Sequence, residues 1–140
     1  MSDGLSASYS EAAAEKGRGE YRLVLGVLMA IDALMGLALL VCPRAAVRLL
    51  DVGDPGSSEW ARIAAILILI VVAFLWTGWN HPNRAKLVNV VGIVGRFLLG
   101  IALILIGGSL LWVGLFEIVA ALILARFYYR FFAALVMSRP

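Results

Sequence analysis

Four apolar stretches of about twenty residues, separated by short polar breaks, constrain this chain more than any other feature. About 20 residues of helix are needed to cross a ~30 Å hydrocarbon layer, and only helices or closed barrels satisfy their backbone groups there. The first stretch runs approximately from Leu23 to Cys42 and ends at Pro43, which cannot continue a helix. The second runs from about Ala61 to Trp79, and the third from about Leu87 to Ile106. The fourth begins near Leu110 and stays apolar to about Ala125, with a helical continuation towards Met137. The chain is 63% hydrophobic with a mean hydropathy of +0.97, far from the roughly half-apolar make-up of soluble domains.

The connections predict the order of packing. Asn80-His81-Pro82-Asn83 is a short, breaker-rich turn, and Gly107-Gly108-Ser109 is shorter still. Each makes its two flanking helices antiparallel neighbours. The longest connection starts with Pro43-Arg44-Ala45-Ala46-Val47-Arg48-Leu49-Leu50. Arg44 and Arg48 are four apart, with Ala46, Val47 and Leu50 on the other side, as in a short amphipathic helix lying at an interface. Asp51 to Ser58, with Gly53, Pro55 and Gly56, reads as a turn-rich break. The expected fold is all-α: a polytopic membrane protein whose four transmembrane helices form an up-and-down bundle, with one short outer interfacial helix. Residues 1–20 read as a polar N-terminal tail and 21–140 as the transmembrane domain. Within the tail, Ser10 to Lys16 has the composition of a short helix that Gly17 and Gly19 stop, leaving a mobile extension.

Charge placement sets orientation. Lys16, Arg18, Arg22, Arg84, Lys86, Arg126, Arg130 and Arg139 fall on one side of the spans. Arg44, Arg48 and Arg62 fall on the other, together with Asp51, Asp54 and Glu59. Basic residues concentrate on the cytoplasmic side, so both termini are expected in the cytoplasm. The net charge of +3 comes from residues flanking the spans, a pattern suited to membrane orientation and not to nucleic acid. Arginine far outnumbers lysine in an Ala-, Leu-, Val- and Gly-rich chain, which points to a bacterial inner (cytoplasmic) membrane. Tyr21, Trp60, Trp79, Trp112, Tyr128 and Tyr129 stand at span ends, where aromatic rings favour the lipid–water boundary.

Three charges break the apolar runs: Asp32, Arg96 and Glu117. A charge at bilayer depth costs about 2.5–3.5 kcal/mol on insertion scales, so it faces protein or a cavity and has a partner. Asn89, Gly92, Arg96, Gly100, Leu103 and Gly107 fall on one stripe of the third helix, which must face protein because lipid offers nothing to its polar groups. Gly114, with Ala120 and Ala121, leaves similar room beside Glu117. Counted from the hairpin apex, Arg96 and Glu117 differ in depth by only ~4–5 Å at ~1.5 Å per residue. An ion pair with two parallel hydrogen bonds is expected between them, and Asp32 lies at a depth that lets it share the guanidinium. Two acids on one base require a proton or a cation to balance them.

Other signals are weaker. His81 beside Pro82 reads as solvated, the lone Cys42 as a small residue at a span end, and Met29 and Met35 as packing residues. No metal-ligand spacing, phosphate loop or nucleophile–base set appears, so neither an enzyme nor a cofactor is expected. Arg126, Tyr128, Tyr129 and Arg130 make a basic aromatic end suited to interface anchoring or a lipid head group.

The Cys42-Pro43 stop, the Arg62-Ile63-Ala64 start of span two, Gly95-Arg96-Phe97-Leu98-Leu99-Gly100 and Phe116-Glu117-Ile118-Val119 together resemble small four-helix membrane proteins of the DoxX-like type and related uncharacterised families. That resemblance implies a role accessory to a membrane redox or transport system. The expected function is that of a non-catalytic membrane component, an accessory subunit of a larger membrane complex or a homo-oligomer. The alternatives are a small transporter or proton- or ion-coupled carrier working through Asp32, Arg96 and Glu117, and a membrane-embedded enzyme using Glu117 or Asp32 as acid or base.

Overall fold

A computed structural model describes residues 2–50 and 58–137, with side chains described from residue 11. Five helices, and no strands among these residues, follow one another along the chain: α1 (Ser2–Val41), α2 (Pro43–Leu49), α3 (Ser58–Asn80), α4 (Lys86–Ile106) and α5 (Leu110–Met137). The break expected over 51–58 lies outside the described residues, apart from Ser58 at the start of α3. Four helices are long and apolar enough to cross a membrane.

Local chemistry sets the ends. Pro43 has no N–H to donate and biases Cys42 away from helical dihedrals, here φ −126° and ψ 59°. The Cys42 N–H still closes the last turn of α1 on the Ala38 carbonyl at 2.8 Å, and Pro43 then serves as the first residue of α2. Ala46 and Val47 are buried against Leu39, Ala61 and Ala65, while Arg44 and Arg48 stay exposed. Between α4 and α5, Gly107 and Gly108 take φ of +78° and +65°, values that only glycine adopts cheaply. Gly107 was expected to pack against a helix along with the rest of its stripe. Nothing lies near the position a Cβ would take there, so this residue serves the turn instead.

The four long helices are antiparallel along each pairing. Trp79 of α3 meets Gly26 of α1 while Leu69 meets Gly36. Leu75 sits over Gly92, and Gly78 over Asn89, between α3 and α4. Gly17 packs on Phe131 and Tyr21 on Tyr128 between α1 and α5. The closest approach joins α4 and α5. A Cβ on Gly100 would stand 2.8 Å from the Gly114 carbonyl oxygen, and one on Gly114 would stand 2.7 Å from the Gly100 oxygen.

Two apolar cores result. One gathers Tyr21, Leu25, Met29, Leu75 and Leu124; the other gathers Leu39, Val47, Ala61 and Ala65. Met29 belongs to the first and Met35 packs against the second. Large apolar side chains such as Leu34, Ile70, Leu98 and Leu122 are exposed on the outside. Soluble surfaces rarely carry such continuous apolar area.

The N-terminal stretch differs from expectation. α1 runs unbroken through Gly17 and Gly19, because tertiary packing outweighs the ~1 kcal/mol helix penalty of each glycine. Ala14 is buried, a Cβ on Gly17 would lie 3.2 Å from the Phe131 Cα, and Glu20 pairs with Arg130 at 3.6 Å. From residue 11 on, this segment packs on the last turns of α5. The same packing corrects the aromatic expectation. Tyr21 is 1% exposed and Tyr128 half-buried, their rings 5.2 Å apart with Phe131 beside them. Trp60 and Trp112 are exposed. Trp79 is half-buried, its indole N–H donating to the Arg22 carbonyl at 2.8 Å beneath the Arg22 guanidinium.

Candidate functional site: a charged centre joining three helices

Between the two apolar cores, Arg96 bridges α4 to both α1 and α5. Its Nη1 donates to Glu117 Oε2 at 2.7 Å, and its Nη2 donates to Asp32 Oδ2. The three side chains are 8%, 10% and 17% exposed for Arg96, Glu117 and Asp32 respectively. The three residues that interrupt the apolar runs are thus brought together. The manner differs from the parallel two-bond grip expected between Arg96 and Glu117. Each terminal nitrogen instead takes a carboxylate from a different helix, so one guanidinium fixes two inter-helix contacts. Arg96 Nε is buried and finds no acceptor among the described residues.

Why the centre forms here follows from its neighbours. Gly100, one turn after Arg96, lets α5 approach to backbone contact, and Gly114 does the same just before Glu117. That approach brings Glu117 within hydrogen-bond reach of Arg96. On α1, Gly36 lets Leu69 of α3 close in, one turn after Asp32.

The stripe on α4 divides between two neighbours. Gly92 faces α3, Asn89 lies between Gly78 of α3 and the Tyr128 side chain of α5, and Arg96 and Gly100 face α1 and α5. Asn89 is 1% exposed. Its Nδ2 donates to the Pro82 carbonyl at 3.3 Å, tying the α3–α4 turn to α4. Its Oδ1 has no conventional donor and rests where Gly78 would carry a Cβ, a contact of the Cα–H···O kind. Gly78 was missed by the sequence reading. Its only signal was a glycine in the last turn of an otherwise bulky helix.

The remaining sites are dispersed. Arg126, Tyr129 and Arg130 are exposed, Arg130 being paired with Glu20, and Tyr128 turns towards Tyr21. They do not converge on one point. His81 is exposed, its carbonyl accepting from the Arg84 and Ala85 N–H groups. Cys42 is exposed with a free thiol. Among the described residues no three His, Cys, Asp or Glu side chains converge as metal ligands would.

A charge triad of this kind can hold helices in register, or it can hold a proton or small cation between its two acids. Comparison with protein families, with curated proteins and with solved structures finds no match to this chain.

Proposed function

We propose that the chain is a non-catalytic component of a bacterial inner membrane, spanning it four times as an up-and-down bundle with both termini cytoplasmic and α2 at the outer interface. It acts as an accessory subunit or a homo-oligomer, the role implied by its resemblance to DoxX-like proteins. The observation that carries this reading is the pairing of Arg96 with both Asp32 and Glu117. Each carboxylate is engaged by a different nitrogen of one guanidinium, in a largely buried setting that joins three helices. In a membrane the hydrophobic effect does not drive helices together, so such polar contacts and close glycine packing fix the arrangement. The turn carrying Arg84 and Lys86 lies at the same end of the bundle as Arg22 and Arg130, which accords with a single cytoplasmic face.

The test is mild extraction from the native membrane, followed by mass determination and identification of co-purifying chains. A defined complex or homo-oligomer is expected, and it should survive in the Arg96→Met/Glu117→Met double variant if that variant folds. A monomer with no partner argues against the reading.

A second reading is favoured by one observation: two carboxylates share one guanidinium, and Asp32 is the more exposed of them. This suits a proton- or cation-coupled carrier in which Asp32 takes the moving ion. Reconstituted vesicles then acidify in a protein-dependent way that Asp32→Asn abolishes. Absence of any flux under a proton gradient removes this alternative.

A further inference from the structure

A groove of about 380 Å³ opens on the outer side of α4 and α5. Val90, Val94, Ala125 and Tyr129 line its length, and Lys86 and Phe132 stand at one end. Lys86 to Val94 spans about 12 Å along α4 at ~1.5 Å per residue. The groove is apolar along its length, with the Lys86 ammonium beside one end over the Phe132 ring. The Lys86 ammonium lies 4.9 Å from the centre of the Phe132 ring, and no carboxylate of the described residues comes within ion-pair distance of it. Arg130, by contrast, already has Glu20.

We propose that this groove binds one anionic phospholipid, with Lys86 at the phosphate and the Val90, Val94 and Ala125 surface along an acyl chain. The inference rests on α4 and α5 spanning a bilayer. An apolar length with a single ammonium beside one end matches an acyl chain carrying an anionic head. A packed helix from another protein would strand the ammonium unless it brought its own acid. A zwitterionic lipid would bring a second cation close to Lys86, whereas a phosphatidylglycerol head group leaves the phosphate charge unopposed.

The test uses the full-length protein in a neutral detergent, with native mass spectrometry of bound phosphatidylglycerol against phosphatidylcholine of the same acyl chains. Preferential retention of phosphatidylglycerol is expected. Lys86→Gln, a change at an exposed position, should weaken phosphatidylglycerol about fivefold, the factor expected for one basic residue at an anionic surface, and leave phosphatidylcholine unchanged. Val94→Trp, which fills the groove, should weaken both. Equal retention of the two lipids by the wild type overturns the proposal without any variant, and so does an unaltered Lys86→Gln. Displacement of the lipid by inorganic phosphate overturns it in favour of a head-group anion site. Dimers lost in Val94→Trp and indifferent to lipid overturn it in favour of a second copy of this chain. Recovery of the protein from cells in the soluble fraction defeats the membrane reading itself, whereas equal lipid retention by a membrane-embedded protein defeats only the lipid site.

Discussion

Arg96 is the residue that ties α4 to both α1 and α5 by charge. Removing one partner of a buried ion pair typically costs ~3–5 kcal/mol because the other charge is stranded. Glu117→Gln keeps the shape and removes the charge, so it should lower stability in detergent. Arg96→Met/Glu117→Met should cost less than the sum of the two single changes, read as a double-mutant cycle from thermal or denaturant unfolding. Strict additivity would mean that the bond between them contributes nothing. Asp32 makes the same test three-cornered, since Arg96→Met strands both acids at once. Asn89 offers a second residue-level test. Gly78→Ala drives a methyl group onto Asn89 Oδ1 and should be strongly destabilising, while Gly78→Ala/Asn89→Ala should recover much of the loss. Similar unfolding midpoints for Gly78→Ala and the wild type would show that the turn yields at little cost.

Inside a helix, glycine matters where a neighbour occupies the space a Cβ would take. Gly100 meets backbone, whereas Gly95, on the same helix, has nothing near its missing Cβ. Gly100→Leu should therefore separate α4 from α5 and reduce the yield of folded protein. Gly95→Ala should be neutral or stabilising by roughly 0.5–1 kcal/mol through helix propensity alone. Unfolding midpoints of the two purified variants compare them directly. The four long helices and the depth match of Asp32, Arg96 and Glu117 were legible in the sequence, because span length and rise per residue are fixed by the bilayer and the helix. The sequence also placed Asn89, Gly92 and Arg96 on one buried stripe. It could not say that the stripe serves two different neighbours, because periodicity gives a face and not a partner. The run of α1 through Gly17 and Gly19 was hidden for a related reason. Helix propensity is local, whereas the groove that receives Phe131 is made by two segments more than a hundred residues apart. Tyr21 was assigned to the boundary by composition, yet α1 and α5 continue past it together and cover it.

For the molecule as a whole, the testable quantity is sidedness. Reporter fusions at the C-terminus and at Gly56 should report opposite sides of the membrane, and the same side for both would refute four crossings. Pro43 and the two hairpin turns then divide the chain into pieces that emerge from the ribosome in sequence. α1 arrives first, carrying Asp32 with no positive partner. Arg96 and Glu117 arrive later, on two helices joined by a three-residue turn and in backbone contact at Gly100 and Gly114. The apolar stretches of that hairpin carry no charge besides Arg96 and Glu117, which pair inside it. A nascent chain cut after Ile106 loses this pairing. Its arginine can then pair only with Asp32, which a chain cut after Asn80 leaves with no cation, so the Asn80 product should be degraded more rapidly than the Ile106 product. In the proposed four-span arrangement, the Gly100–Gly114 contact therefore sets Arg96 against Glu117 within one hairpin, independently of α1.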